Sequence, residues 1–119
     1  MNSVRYHNII VYIIMTITWS FLDAKYPCER THNATMNVYL QNDLRLDVNN
    51  NIQLKLPISF MMYSGCVVLN TVDDRLVPVK EIYMNNSAQD GLVVTLYNRS
   101  YSIFDGKAGD RICILRYVS

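Results

Sequence analysis

Downstream of Pro27 the chain alternates apolar and polar residues in short runs, broken by turn residues every eight to twelve positions. Leu44, Leu46 and Val48 are interleaved with Arg45 and Asp47, and Ile52, Leu54 and Leu56 with Gln53 and Lys55. A period of two puts successive side chains on opposite faces of a strand, so each run predicts a half-buried β-strand. Asn49, Asn50 and Asn51 lie between these runs and read as a turn. Cys66 to Leu69 follows Ser64–Gly65, and Leu92 to Tyr97 follows Asp90–Gly91 and reads as a buried strand. Ser102 to Phe104 and Arg111 to Tyr117 read as strands flanking two glycine turns, Asp105–Gly106 and Ala108–Gly109. No window carries a helical period. Many short strands broken at regular intervals predict an all-β sandwich, barrel or jelly roll. Its expected core includes Leu54, Leu56, Val67, Leu92, Val94, Leu96, Ile112 and Leu115.

With 119 residues, the chain has room for one such core. The net charge is +1 with both signs interspersed, which gives no electrostatic reason to expect nucleic acid or an anionic membrane as a partner. The three cysteines, Cys28, Cys66 and Cys113, are widely spaced and are expected as buried thiols. With only His7 and His32 beside them, no zinc site is expected. The apolar run Ile9 to Leu22 has two readings. After Arg5 it has the character of a signal segment, which would make this a secreted or membrane-anchored glycoprotein with sequons at Asn33, Asn85 and Asn98. Its Ile, Val, Thr, Tyr and Trp content equally suits a β-strand.

The segment LVVTLYNRSYSIFDGKAGDRICIL narrows the field. Tyr97–Asn98, then Phe104, then Gly109–Asp110–Arg111–Ile112 resemble in order and spacing the end of the trimeric dUTPases. Pro27, Ala34–Thr35 and Tyr63–Ser64–Gly65 extend the likeness to about Met15 to Tyr117. The resemblance implies a dUTPase-like jelly-roll (β-clip) domain over residues 15–119, with Thr16 to Leu22 as its first strand. Residues 1–14 are then an N-terminal extension, and the family's glycine-rich C-terminal arm is lacking. It also implies a homotrimer.

That family hydrolyses dUTP to dUMP and pyrophosphate with an ordered water, a carboxylate base and magnesium. On this alignment the positions that do the chemistry have changed. Val38 stands where the first motif has its Asp. Leu69–Asn70–Thr71–Val72 replaces the Arg- and Gly-containing second motif, so Thr71 keeps only a hydroxyl. Asn85 holds the base position and Ala88 that of the Tyr under the sugar. Ile114 replaces the fourth motif's Gln. The expectation is therefore a chain that is not an enzyme, with no cofactor; magnesium enters only if it is an active dUTP diphosphatase after all. Arg111 is expected to pair with Asp110 or Asp105. In length and pattern of losses the chain resembles catalytically inactive adenoviral early-region proteins derived from dUTPase. This implies a virus-encoded adaptor in the host cytoplasm, acting on host signalling proteins. The terminal Ser119 does not suit the PDZ partners of that group. New recognition is expected on loops: Asn70 to Val79, Tyr83 to Asp90 and the tail from Arg116, with Asp73, Asp74 and Tyr117 as candidate contacts.

Overall fold

A computed structural model describes residues 17–31, 35–84 and 91–119. All of its regular structure is β, in twelve strands: β1 (Ile17–Phe21), β2 (Glu29–Arg30), β3 (Thr35–Tyr39), β4 (Leu44–Leu46), β5 (Asn51–Leu56), β6 (Ile58–Met62), β7 (Cys66–Thr71), β8 (Leu76–Pro78), β9 (Ile82–Tyr83), β10 (Leu92–Asn98), β11 (Phe104–Gly106) and β12 (Arg111–Val118). They form a five-stranded sheet in the order β2-β3-β12-β7-β9, a three-stranded sheet β5-β10-β8 and two pairs, β1-β6 and β11-β4. Every pairing is antiparallel.

The alternating residues supply the core. Met36, Val38, Val67, Leu69, Cys113 and Leu115 come from the large sheet. Leu56, Leu92, Val94, Leu96 and Leu76 come from the three-stranded sheet, and Ile58 and Phe60 from β6; all are buried. Trp19 of β1 packs edge-on against Phe60, with ring centroids 5.5 Å apart. The apolar run thus ends as a strand at residues 17–21, in register with β6 from Ile17↔Met62 to Phe21↔Ile58. Residues 9–16, and so most of the proposed signal segment, lie outside the described set, as do Asn33, Asn85 and Ala88.

Four expectations need correction. Leu54 is only half-buried, because β5 is the edge strand of its sheet and its neighbourhood opens into a cleft of about 310 Å³. Asp105–Gly106 is not a turn. It lies in β11, paired with Arg45 and Leu44, and a Cβ on Gly106 would stand 2.7 Å from Leu40 and 2.8 Å from the Phe104 ring. That glycine serves close packing and not a reversal of the chain. Cys66 is half-buried and not buried, since it faces outward at the start of β7. Arg111 pairs with neither acid: its Nη1 is 3.4 Å from Asn37 Oδ1, which the β3–β12 ladder brings beside it.

Candidate functional site

The β3–β12–β7 ladder places three side chains in one row. Cys113 pairs with Val38 on one side and with Thr71 on the other. The row exists because β12 is bulged between Arg111 and Cys113. The extra residue turns Ile112 and Cys113 both inward, whereas strict alternation would turn only one. Val38 is fully buried against the core, and Thr71 Oγ1 donates to the carbonyl of Leu76 at 2.8 Å. An alkyl group cannot ligate a hydrated cation, and Thr71's hydroxyl is already engaged. These residues therefore do not fit a magnesium-bound triphosphate. Among the described residues no three His, Cys, Asp or Glu side chains gather as metal ligands. Burial pushes the Cys113 thiol up to about 12 and the Cys28 thiol up to about 11, which suppresses thiolate chemistry at both.

The residues that carry the sequence resemblance hold the chain in place. Asn98 is fully buried at the end of β10. Its Nδ2 donates to the carbonyls of Leu46 (3.0 Å) and Ser102 (2.9 Å), and its Oδ1 accepts the Ser100 N–H (3.0 Å). Its main chain exchanges two further bonds with the Asn49–Asn50 turn, each 2.9 Å. Asn49, at φ 64, is the one non-glycine with positive φ among the described residues, and its Oδ1 accepts the Tyr97 hydroxyl at 3.1 Å. Asn98 thus ties three chain segments to one amide. Phe104 is buried beneath the Arg75 guanidinium, 5.2 Å from the ring centroid. Asp110 Oδ2 accepts the Lys107 N–H at 2.9 Å and closes a turn in which Gly109 has φ +91. That turn is bonded to the first-motif segment through Gly109 N–Leu40 O and Leu40 N–Asp110 O, each 2.8 Å. Ile112 is buried in the core.

The candidate contact residues are not together. Asp73 grips Arg75 at both ends of its carboxylate, 3.0 Å to Nε and 2.7 Å to Nη2, and takes the Arg75 N–H at 2.9 Å. The side-chain bonds from Arg75 hold the Asp73 carboxyl below the usual Asp range. Asp74 beside it is exposed. Tyr117 pairs with Val67 at the far end of β7, away from the Thr71 end, and its hydroxyl donates to Ser64 O at 2.7 Å. What lies beside Asp73 is the β10–β11 connection: Arg75 Nη1 donates to Ile103 O at 3.0 Å, and the Arg99 N–H donates to Arg75 O at 3.0 Å. At its tip stands Tyr101, fully exposed. Sequence reading passed over it, although a large aromatic in the polar stretch Arg99–Ser100–Tyr101–Ser102 was the available signal.

The antiparallel sheets, the Asn98 hub and the Gly109–Ile112 turn define a dUTPase-like all-β fold. Solved structures bear this out. The native dUTPase of EIAV superposes with a TM-score of 0.71 at 9% identity, covering 87% of this chain and 88% of that one. The Staphylococcus bacteriophage 80alpha dUTPase gives 0.67 at 14% identity, covering 87% and 82%. A mutant dUTPase from phage phi11 of S. aureus gives 0.66 at 14% identity, covering 87% and 90%. No family model and no curated protein matches the sequence.

Proposed function

We propose that this chain is a catalytically inactive, virus-encoded protein of the dUTPase fold that works as a binding module on host signalling proteins. One observation carries the reading. Val38 and Thr71, at the positions where the motif alignment expects a carboxylate and a phosphate-binding step, are a buried alkyl group and a hydroxyl bonded to the main chain, and the Cys113 between them is a buried thiol. The residues that match the dUTPase pattern at Asn98, Phe104 and Gly109 to Ile112 maintain turns and core instead. This is the division expected when a scaffold is kept and its chemistry is not. The pattern of losses supports kinship with the inactive adenoviral early-region group, and the family likeness supports a homotrimer. Phage dUTPases have been described as controlling the transfer of virulence genes by a G protein-like mechanism, so this fold carries signalling elsewhere.

The competing reading, an active dUTP diphosphatase, predicts pyrophosphate release. On the binding-module reading, purified protein incubated with dUTP and magnesium should release no pyrophosphate above background. Turnover that scales with protein concentration and survives repurification would overturn the proposal. Asn85→Asp alone should not create activity, since Val38 still supplies no carboxylate and Leu69 to Val72 still lacks the arginine of the second motif.

A further inference from the structure

The outer face of the five-stranded sheet is divided in two. Met36, Val38, Val67, Leu69 and Leu115 point to the core, so their neighbours along each strand point away from it. On β2 and β3 these outward residues are Glu29, Thr35 and Asn37, the polar set expected of a face left to water. On β12, β7 and β9 they are mostly apolar: Ile114 and Val118, Cys66 and Val68, and Ile82, which is 55% exposed. The register joins them into one patch. Val118 pairs with Cys66, Arg116 with Val68, and Val68 with Ile82. Arg116 crosses the patch, and Asn70, opposite Ile114, ends it. One half of a sheet face suited to water and the other half not calls for a cover over the second half.

The chain itself supplies a candidate at the right corner. Ile17 opens β1 opposite Met62, the last residue of β6. Cys66, at one corner of the patch, follows Met62 by four Cα steps, about 15 Å at most. The turn between them is held to β12 by the Tyr117 hydroxyl, which donates to Ser64 O at 2.7 Å. From that corner the patch runs about 13 Å along β12 to Ile114 and about 10 Å across to β9. Ahead of Ile17, and outside the described residues, the sequence carries Ile9–Ile10–Val11–Tyr12–Ile13–Ile14–Met15, apolar throughout and without a charge. Residues 9–16 reach about 26 Å when extended, enough to cross the turn and run along the patch. We propose that Ile9 to Met15 is the cover, docked on the outer face of β12, β7 and β9 of its own chain. Apolar groups on both sides then leave water together. Arg116 lays its aliphatic stem beneath the cover and keeps its head in water. Attachment through Thr16 gives the segment an effective concentration of about millimolar, an advantage that a second copy at micromolar concentration lacks. A homotrimer then assembles through other surfaces. The proposal does not rest on the binding-module reading. It gives the N-terminal run a lasting place in the mature protein, whereas a cleaved signal segment would be lost.

The test places a photoreactive benzoylphenylalanine at position 12 of the full chain and maps the crosslinked peptides by mass spectrometry after irradiation. The expected product is a crosslink within one chain to the peptides of β7, β9 or β12, in a yield that does not change with protein concentration. Alkylation of Cys66 gives a second readout without the probe. Cys66 is half-buried at the corner of the patch, so it reacts in the full chain. Removing residues 1–14 should speed its reaction with iodoacetamide about tenfold, the factor for a cover closed about nine-tenths of the time. Ile82→Asp in the full chain should give a similar rise, so the result does not hang on whether the shortened chain folds. Crosslinks only between two chains, or crosslinks that miss all three strands, overturn the proposal. So does a Cys66 rate that ignores both the truncation and Ile82→Asp, or an intact mass showing that the mature chain lacks residues 9–15. None of these outcomes alters the pyrophosphate assay, which tests the catalytically inactive reading separately.

Discussion

Replacing Asn98 is the most searching perturbation of this fold. The side chain is fully buried and joins β10, the end of β4 and the tip loop. Asn98→Ala removes the donor to Leu46 O and to Ser102 O and the acceptor of Ser100 N–H. A buried polar group left unpaired costs about 1–3 kcal/mol. Water can reach Ser100 and Ser102 at the tip, while Leu46 O lies in the buried part of the network. The sum is then about 3–5 kcal/mol, a large share of the ~5–15 kcal/mol that stabilises a typical domain. At a urea m-value of about 2 kcal/mol/M the unfolding midpoint should move down by roughly 2 M with m unchanged. Asn98→Asp separates hydrogen bonding from shape. A carboxylate keeps the acceptor for Ser100 but cannot donate to the two carbonyls, and its burial raises the folded-state pKa. A group with a raised folded pKa is penalised once pH exceeds its unfolded value, near ~3.9 for Asp. The Asn98→Asp deficit should therefore be greatest at neutral pH and shrink as pH falls towards 4. Denaturation followed by circular dichroism from pH 4 to pH 8 reads both effects. A midpoint for Asn98→Ala within about 0.3 M of wild type would refute the assignment of Asn98 as the structural hub.

Other outcomes follow from single sites. Both Nδ2 hydrogens of the buried Asn98 are in use, so folded protein should carry no glycan at this sequon; a glycan on the Asn98 peptide of natively folded protein, read by mass spectrometry, would contradict this placement. Under native conditions at pH 8, iodoacetamide should modify one thiol per chain, Cys66. Cys28 and Cys113 should react only in denaturant, since burial both hides them and raises their pKa to about 11 and about 12. Gly65→Ala should cost more than about 2 kcal/mol in thermal or urea unfolding, because its φ is +85 and the new Cβ would lie 2.4 Å from Val118 O. The Asp73 carboxyl is depressed by Arg75, so its stabilising contribution is present above the unfolded Asp pKa and is lost as pH falls through the folded value. Asp73→Asn should lower stability at pH 7 and narrow its difference from wild type below about pH 4, read by melts across that range.

Local pattern made much of this architecture legible, and long-range pairing decided the rest. Period-two runs located β4 and β5, runs bounded by glycine turns located β7, β10 and β12, and the three consecutive asparagines located the turn that Asn49 makes at positive φ. Asp105–Gly106 misled because Asp–Gly is turn chemistry, yet pairing with β4 draws the dipeptide into a strand. Asn37, the partner of Arg111, is 74 residues away in sequence, a contact that only the β3–β12 register creates. Leu54 carried a core pattern, but no local signal states which strand ends up at a sheet edge. For the site, motif alone supplied the expectation of changed chemistry at Val38 and Thr71. The separation of Asp73 from Tyr117, and the joining of Asp73 to the Tyr101 loop, came only with topology.

The bulge in β12 bears on which length changes this strand can survive. Arg116 faces outward because the doubled inward pair Ile112–Cys113 resets the alternation ahead of it. Deleting Ile112 would remove the extra residue: Arg111 would stay opposite Tyr39 and Cys113 opposite Val38, with the Gly109–Asp110 turn and the pairing beyond it both in place. The loss would be the buried Ile112 side chain and the Val72 N–H bond to its carbonyl. Deleting Ile114 instead, with the bulge and the turn held, would invert parity beyond it, pointing Arg116 into the core and Leu115 at solvent. A single-residue deletion in this strand should therefore be tolerated at the bulge and not beyond it.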